Sequence, residues 1–391
     1  MNVYLRALGM CNVLGNTLAD ITQRLFAGDR PRLPLEEGWS LTGKARVGRV
    51  CGELPRIPSR LSGYSCRAAR LLLLAFQEIA HEVESVILRF GNERIGVVLG
   101  TSTSSISEGE SAMKTLRAKG RFPDDYAYVQ QEFGMPAVFL ASCLGISGPA
   151  YCVSTACSSS AKAFISARGL LRQGVCDAVI VGGVDALSQL AINGFSALEL
   201  TTEETGNPMS KNRKGINIGE GATLFLMTKE GSDIQLFGAG ESSDAHHISA
   251  PHPEGKGAEA AMRAALADAK LRASDVDYLN MHATGTLKND EMESFAVNRV
   301  FPDGVAVSGT KSLTGHLLGT AGATEIGFCW LALKDGRLPV HVWDGERDPK
   351  LPPLKFVETG ERFRRNSSRI CMSSSFAFGG NNVCLLIGDS R

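Results

Sequence analysis

The stretch "PAYCVSTACSSSAKAFISARGLLRQG", residues 149–174, decides the fold. A short β-rich run reaches a turn of small residues at Thr155 and Ala156. A cysteine, Cys157, follows, and then a run of helix-compatible residues ending at Gly174. Strand, sharp corner and helix in this order belong to a parallel sheet covered by helices. They also put a thiol at the corner, with serines behind it that leave space for a ligand. A cysteine on the first turn of a helix is expected to feel the positive end of the dipole, which favours the reactive thiolate. The bland alternative is a buried structural cysteine, one of ten in the chain and most of them in apolar segments such as "GFCWLAL" and "NVCLLIG".

The pattern repeats along the chain. "RIGVVLGTS", "CDAVIVGGVDAL", "VDYLNMHA" and "VAVSGTKS" read as strands, and "RICMSSSFAFGGNNVCLLIG" as a hairpin. Helical runs such as "KGAEAAMRAALADAKL" lie between them. A second stretch, Gly319 to Gly336, mirrors Cys157 to Gly174: equal spacing, small residues at the start and a glycine stop. The echo suggests an internal duplication. The boundary is expected near Gly231, giving halves 1–231 and 232–391.

Composition excludes several classes. The 391 residues carry 41 basic and 41 acidic side chains, so nothing points to nucleic acid or a membrane surface. No apolar run approaches the ~20 residues a membrane helix needs. The opening "MNVYLRALGMCNVLGNT" reads as a strand and turn with no basic n-region or cleavage site, so no signal peptide is expected. The absence of any C-x-x-C pair argues against zinc ribbons and redox motifs. A reduced, cytoplasmic protein with buried thiols is the expectation.

Three further segments carry chemistry-bearing residues at turns. His282 ends a strand in "NMHATGTLKNDEMESF", before Thr284 and Thr286. Asp290 and Glu293 of that segment have capping-box spacing, which is a structural use. Lys311 and His316 share the turn of "SGTKSLTGHLLGTAG", and "SSFAFGGNN" offers Phe376, Phe378 and amide-bearing glycines in a hairpin turn. One nucleophile, two imidazoles, an ammonium and an amide-rich loop suit acyl transfer.

With "VSTACSSS", "DAHHISAPHPEG", "MHATGTLKNDEMES", "GTKSLTGHLLGTAGATE" and "SSFAFGGNN" in place, the chain resembles a β-ketoacyl-acyl-carrier-protein synthase over nearly its whole length. The resemblance implies an α/β thiolase-like fold, five-layered α/β/α/β/α, from two duplicated halves. It implies chain elongation in fatty-acid or polyene/polyketide synthesis. Cys157 would be acylated from a carrier protein, then condensed with a malonyl-carrier with loss of CO2. By position, His282 and His316 match the histidine pair and Lys311 the neighbouring lysine. Glu293 matches the acid expected to pair with that lysine. Thr284 and Thr286 match the binders of the phosphopantetheine arm. The amides of Cys157 and Phe378 would form the oxyanion hole, with Phe378 also a gate, and Phe376 and Thr103 would touch substrate. Arg67 and Arg70, three apart in "GYSCRAARLLLLAF", would dock the acidic carrier. No metal or tightly bound cofactor is implied, the substrates riding on carrier phosphopantetheine. The partner is expected to be an identical chain or a chain-length-factor-like homologue. The sequence departs from the usual family pattern at Ala283, Thr103 and Ala377 and lacks the Phe-Asp of a "PFD" motif in "NPMSKNRKG". A thiolase would need a second cysteine in the last loop, "FAFGG" having none. A non-catalytic chain-length factor would lack Cys157, and a cysteine hydrolase would leave Lys311 and His316 unexplained.

Overall fold

Alternating apolar positions, such as Ile95, Val97 and Leu99 against Val98, give each central strand two buried faces, and the computed structural model fills both. It describes residues 2–29, 33–41, 43–365 and 367–390. In the first half the strands lie in the order Ala150–Val153, Ile95–Gly100, Ala178–Asp185, Gly221–Thr228, Tyr4–Cys11. In the second the order is Ala306–Ser308, Tyr278–Asn280, Ile370–Phe376, Asn381–Asp389, Ile234–Ser243, with a short edge strand Lys355–Phe356 beyond. Counted along the chain, both read third, second, fourth, fifth, first. In both, the first two pairings are parallel and the last two antiparallel. The sheets meet where Tyr4 pairs with Gln235.

Period-two alternation sorts the strand side chains into layers. Val98, Val179, Val181, Phe225, Val383, Leu385 and Ile387 point into one central cluster. Ile95, Val97, Leu99, Ile180 and Leu224 face an outer cluster with the helix Arg67–Gln77. Leu279, Met372 and Leu386 face the other, with the helices Lys256–Ala269 and Leu287–Val300. The helices Ser159–Arg172 and Ala321–Asp335 fill the centre. The result is the α/β/α/β/α thiolase-like arrangement. A helix covered on every side must be apolar on every side. Ala321–Asp335 is accordingly buried from Ala321 to Leu333 apart from Trp330.

The sequence echo has a conformational counterpart. Ala156 and Leu318, the residues before Cys157 and Gly319, both take φ of +50°. The glycine stops also hold, with Gly174 at +74° and Gly336 at +84°. The helix after Cys157 begins at Ser159 with Ser158 as its cap. The cysteine therefore sits on the elbow before the helix and not on its first turn.

Candidate active site

Cys157 is held at the elbow by turn bonds from Ser158 and Ser159 amides back to Thr155 and Ala156 carbonyls. It is 5% exposed. His316 follows the short helix Lys311–Thr314 and a left-handed Gly315, and its Nε2 lies 3.0 Å from Cys157 Sγ. His282 lies two residues past its strand, with its ring centroid 5.4 Å from that of His316 and nearly perpendicular at 83°. Phe376 packs edge-on against His282. The Cys157 sulfur and one ring nitrogen from each of His282 and His316 lie within 4.8 Å of one another. The donor set alone could ligate a metal ion, but the ammonium beside it favours a metal-free reading.

Lys311 organises the histidines. Its Nζ donates to His282 Nδ1 at 3.2 Å, to the His282 carbonyl and to Glu325 Oε1, which uses all three N–H groups. A cation donating to Nδ1 leaves the neutral ring's proton on Nε2. Burial and the Lys311 charge hold both imidazoles neutral, well below the usual histidine range. With Cys157 a thiol, His316 Nε2 is the acceptor and the neutral ring's proton lies on Nδ1, which is buried with no hydrogen-bond partner. Burial also pushes the Cys157 thiol up to about 12, against the pull of Lys311 and of a hydrogen bond from the Phe378 amide. This corrects the expectation of a dipole-stabilised thiolate. The resting pair is thiol and neutral imidazole, and ionisation requires proton transfer to His316.

The cleft above Cys157 is lined by Thr284, Thr286, Phe376, Phe378 and Phe195. The Phe195 and Phe378 rings touch at 5.4 Å between centroids, closing the apolar end. Phe378 thus offers both an amide to the sulfur and a ring to the wall. Thr284 and Thr286 hydroxyls, also in the lining, bond each other at 2.9 Å. Ala283 takes φ of +37°, where glycine is more comfortable, and its Cβ fits because residue 309 is glycine.

Several expected roles are corrected. Glu293 does not pair with Lys311. It accepts the His282 and Ala283 amides at 2.6 Å each and the Ser374 hydroxyl at 3.1 Å, fixing the strand end that carries His282. The acid on Lys311 is Glu325, whose carboxyl burial raises to about 7. Thr103 is not part of the cleft lining, because its amide and hydroxyl bind the buried Asp185 at 2.7 and 2.9 Å. Arg67 and Arg70 are not free docking charges. Arg67 chelates the fully buried Glu220, and Arg70 donates to the carbonyls of Leu54 and Pro55. Phe195 and Asp185 went unnoticed in the sequence. Glu325 lay in the quoted "GTAGATE", the one acid in an otherwise apolar helix start.

A thiol, two neutral imidazoles and a locked ammonium at the junction of two duplicated α/β halves define a condensing acyltransferase of the thiolase-like fold. The β-ketoacyl synthase N-terminal domain matches residues 52–232 and the C-terminal domain residues 235–342. The chain belongs to the β-ketoacyl synthase family. It is similar to Nodulation protein E of Rhizobium meliloti (strain 1021), at 36% identity over 75% of each chain. It is also similar to 3-oxoacyl-[acyl-carrier-protein] synthase 2 of Staphylococcus aureus, at 32% over 82% of this chain and 83% of that one. Among solved structures, the ketosynthase ApeO of Xenorhabdus doucetiae, in complex with its chain length factor ApeC, superposes with a TM-score of 0.95. It is 44% identical and covers 100% of this chain and 98% of its own. The protein is a ketosynthase, a condensing enzyme of fatty-acid or polyketide elongation. Among the described residues no helix is long and apolar enough to cross a membrane.

Proposed function

We propose that Cys157 takes an acyl group from the phosphopantetheine arm of a carrier protein and that His282 and His316 drive its condensation with a malonyl-carrier. The 3.0 Å contact between Cys157 Sγ and His316 Nε2, with His282 beside it, carries this reading. In the first half-reaction the thiol proton passes to His316 Nε2 and Sγ attacks the thioester carbon. The oxyanion receives the Cys157 and Phe378 amides, the carbon–sulfur bond to the arm breaks, and the proton leaves on the arm's thiol. In the second, the malonyl thioester loses CO2. The enolate oxygen accepts Nε2–H bonds from both histidines, and the carbanion attacks the acyl carbon, expelling the Cys157 thiolate, which takes up one proton from solvent to restore the resting thiol. Once Cys157 is acylated its sulfur no longer donates to His316 Nε2, and the proton on the unpartnered Nδ1 can move to Nε2 to donate there. Thr284 and Thr286 would hold the arm, and Phe376 and Phe378 would bound the acyl end.

Similarity to ApeO, a ketosynthase seen with its chain length factor, supports a heterodimer with a chain-length-factor-like homologue; the chain would act in the cytoplasm on carrier-borne polyene or polyketide chains and require no tightly bound cofactor. The division at 231/232 would then separate a nucleophile half from a histidine half. The test is reconstitution with acyl- and malonyl-carrier, with and without the homologue. A 3-oxoacyl-carrier product is expected. Free fatty acid without condensation would make the chain a thioester hydrolase and overturn the proposal.

A further inference from the structure

The Cys157–His316 contact joins residues from different halves, 159 positions apart. The two side chains arrive on separate loops, so something must hold those loops in register. One buried group bonds to both sides. Asp185, at the end of the strand Ala178–Asp185, is fully buried and has no cationic partner among its hydrogen bonds. On the nucleophile side it accepts the Thr101 hydroxyl at 2.9 Å, the Ser102 amide at 2.9 Å, and the Thr103 amide and hydroxyl at 2.7 and 2.9 Å. Ser102 in turn donates its hydroxyl to the Ala156 carbonyl at 2.9 Å, on the elbow residue just before Cys157. On the histidine side Asp185 accepts the Thr320 amide at 3.1 Å and the Thr320 hydroxyl at 3.3 Å, at the cap of the helix Ala321–Asp335 and four residues after His316.

The approach is tight. A Cβ on Gly319 would lie 2.5 Å from the Ser102 nitrogen and 2.8 Å from Asp185 Oδ2. Only glycine lets the two loops share one carboxylate. A second tie, from the Ala323 amide to Ser160 Oγ at 2.8 Å, joins the two central helices one turn further on and does not reach either loop.

We propose that Asp185 is a positioning residue for the condensation, clamping the Cys157 elbow to the turn that follows His316. It acts through Ser102 and Thr320 and touches neither substrate nor the reacting atoms. Every partner of this carboxylate is a donor. An amide at the same position would set its own N–H2 against donor groups, so Asp185→Asn keeps the shape and breaks the clamp. The proposal rests on the roles given above to Cys157 and His316.

The test compares Asp185→Asn and Ser102→Ala with the parent in steady-state condensation, varying carrier-linked substrate, beside thermal unfolding. Ser102→Ala removes one partly buried hydroxyl and leaves the Asp185 interactions in place, so it keeps the fold even where Asp185→Asn does not. Expected is a fall in kcat of about tenfold or more for Ser102→Ala, in keeping with the sensitivity of near-attack geometry to small misplacements. KM for the carrier-linked substrate and the melting temperature should stay near parent values. Asp185→Asn should lose more kcat than its folded fraction explains. Restoring the hydroxyl as Ser102→Thr should recover rate. Parent kcat in Ser102→Ala overturns the proposal, whatever Asp185→Asn does. So does a loss that appears in KM alone. Cys157→Ala, run alongside, reads the underlying assignment separately: condensation by that variant would overturn the proposed function, not the clamp.

Discussion

Replacing Lys311 with methionine should damage stability and catalysis by separable routes. Lys311 and Glu325 are 4% and 3% exposed, so their pairing is inside the protein. Removing one partner of a buried pair leaves an uncompensated charge, at about 3–5 kcal/mol. Glu325 is already raised to about 7 by burial, with Lys311 pulling it down. Without Lys311 its folded pKa rises further above the unfolded value. The protonated acid suits the folded state, so the deficit should be small at pH 5 and grow as pH rises through 7 to 8. Catalysis fails for another reason. With no donor on Nδ1, His282 loses the contact that keeps its proton on Nε2. Loss of one oxyanion donor costs on the order of a hundredfold to a thousandfold in kcat. The double variant Lys311→Met, Glu325→Leu replaces the pair with apolar groups, an exchange that is often neutral or stabilising. It should regain most of the stability and none of the decarboxylation. Urea unfolding at pH 5 and pH 8, beside CO2 release from malonyl-carrier, reads both. Parent-like CO2 release by the stable double variant would refute the tautomer argument.

Decarboxylation should not titrate near 6.5, because both imidazoles are held neutral well below that value. The rate of CO2 release by Cys157→Gln should stay level from pH 8 to about pH 6, and a loss centred at 6.5 would contradict the burial argument. Arg67→Ala should unfold the protein more easily by about 3–5 kcal/mol, since the fully buried Glu220 loses its cationic partner, while carrier KM holds; a raised KM at parent stability would return Arg67 to docking. Thr284→Val should raise KM for a pantetheine thioester, with a parent KM counting against arm binding. Gly319→Ala should lose condensation because its Cβ would meet the Ser102 nitrogen at 2.5 Å, and full activity would show that the loops can part.

The fold was largely legible because its signals are local. The corner at Cys157, the period-two strands and the equal spacing of the two central helices can all be read within windows of about twenty residues. The candidate site was legible in its reactive side chains and not in their partners. Lys311 finds Glu325 rather than Glu293 because the turn after His316 brings the helix Ala321–Asp335 under the lysine, a matter of tertiary packing. Arg67 meets Glu220 from 153 residues away, and Thr103 meets Asp185 from 82 away. No neighbouring residue announces either bond. The charge state of Cys157 escaped for a similar reason. The expected dipole is a local feature, whereas Cys157 sits before the helix start and its burial, which raises the thiol, is a product of tertiary packing.

The central claim divides labour between one thiol and two imidazoles. Incubation with acyl-carrier, followed by peptide mass analysis, should place a single acyl group on Cys157 in the parent, and in His282→Ala as well. CO2 release from malonyl-carrier, measured on the same preparations, should fall by on the order of a hundredfold in His282→Ala and in His316→Ala. An acyl group on another cysteine, or CO2 released at the parent rate by both histidine variants, would contradict the account.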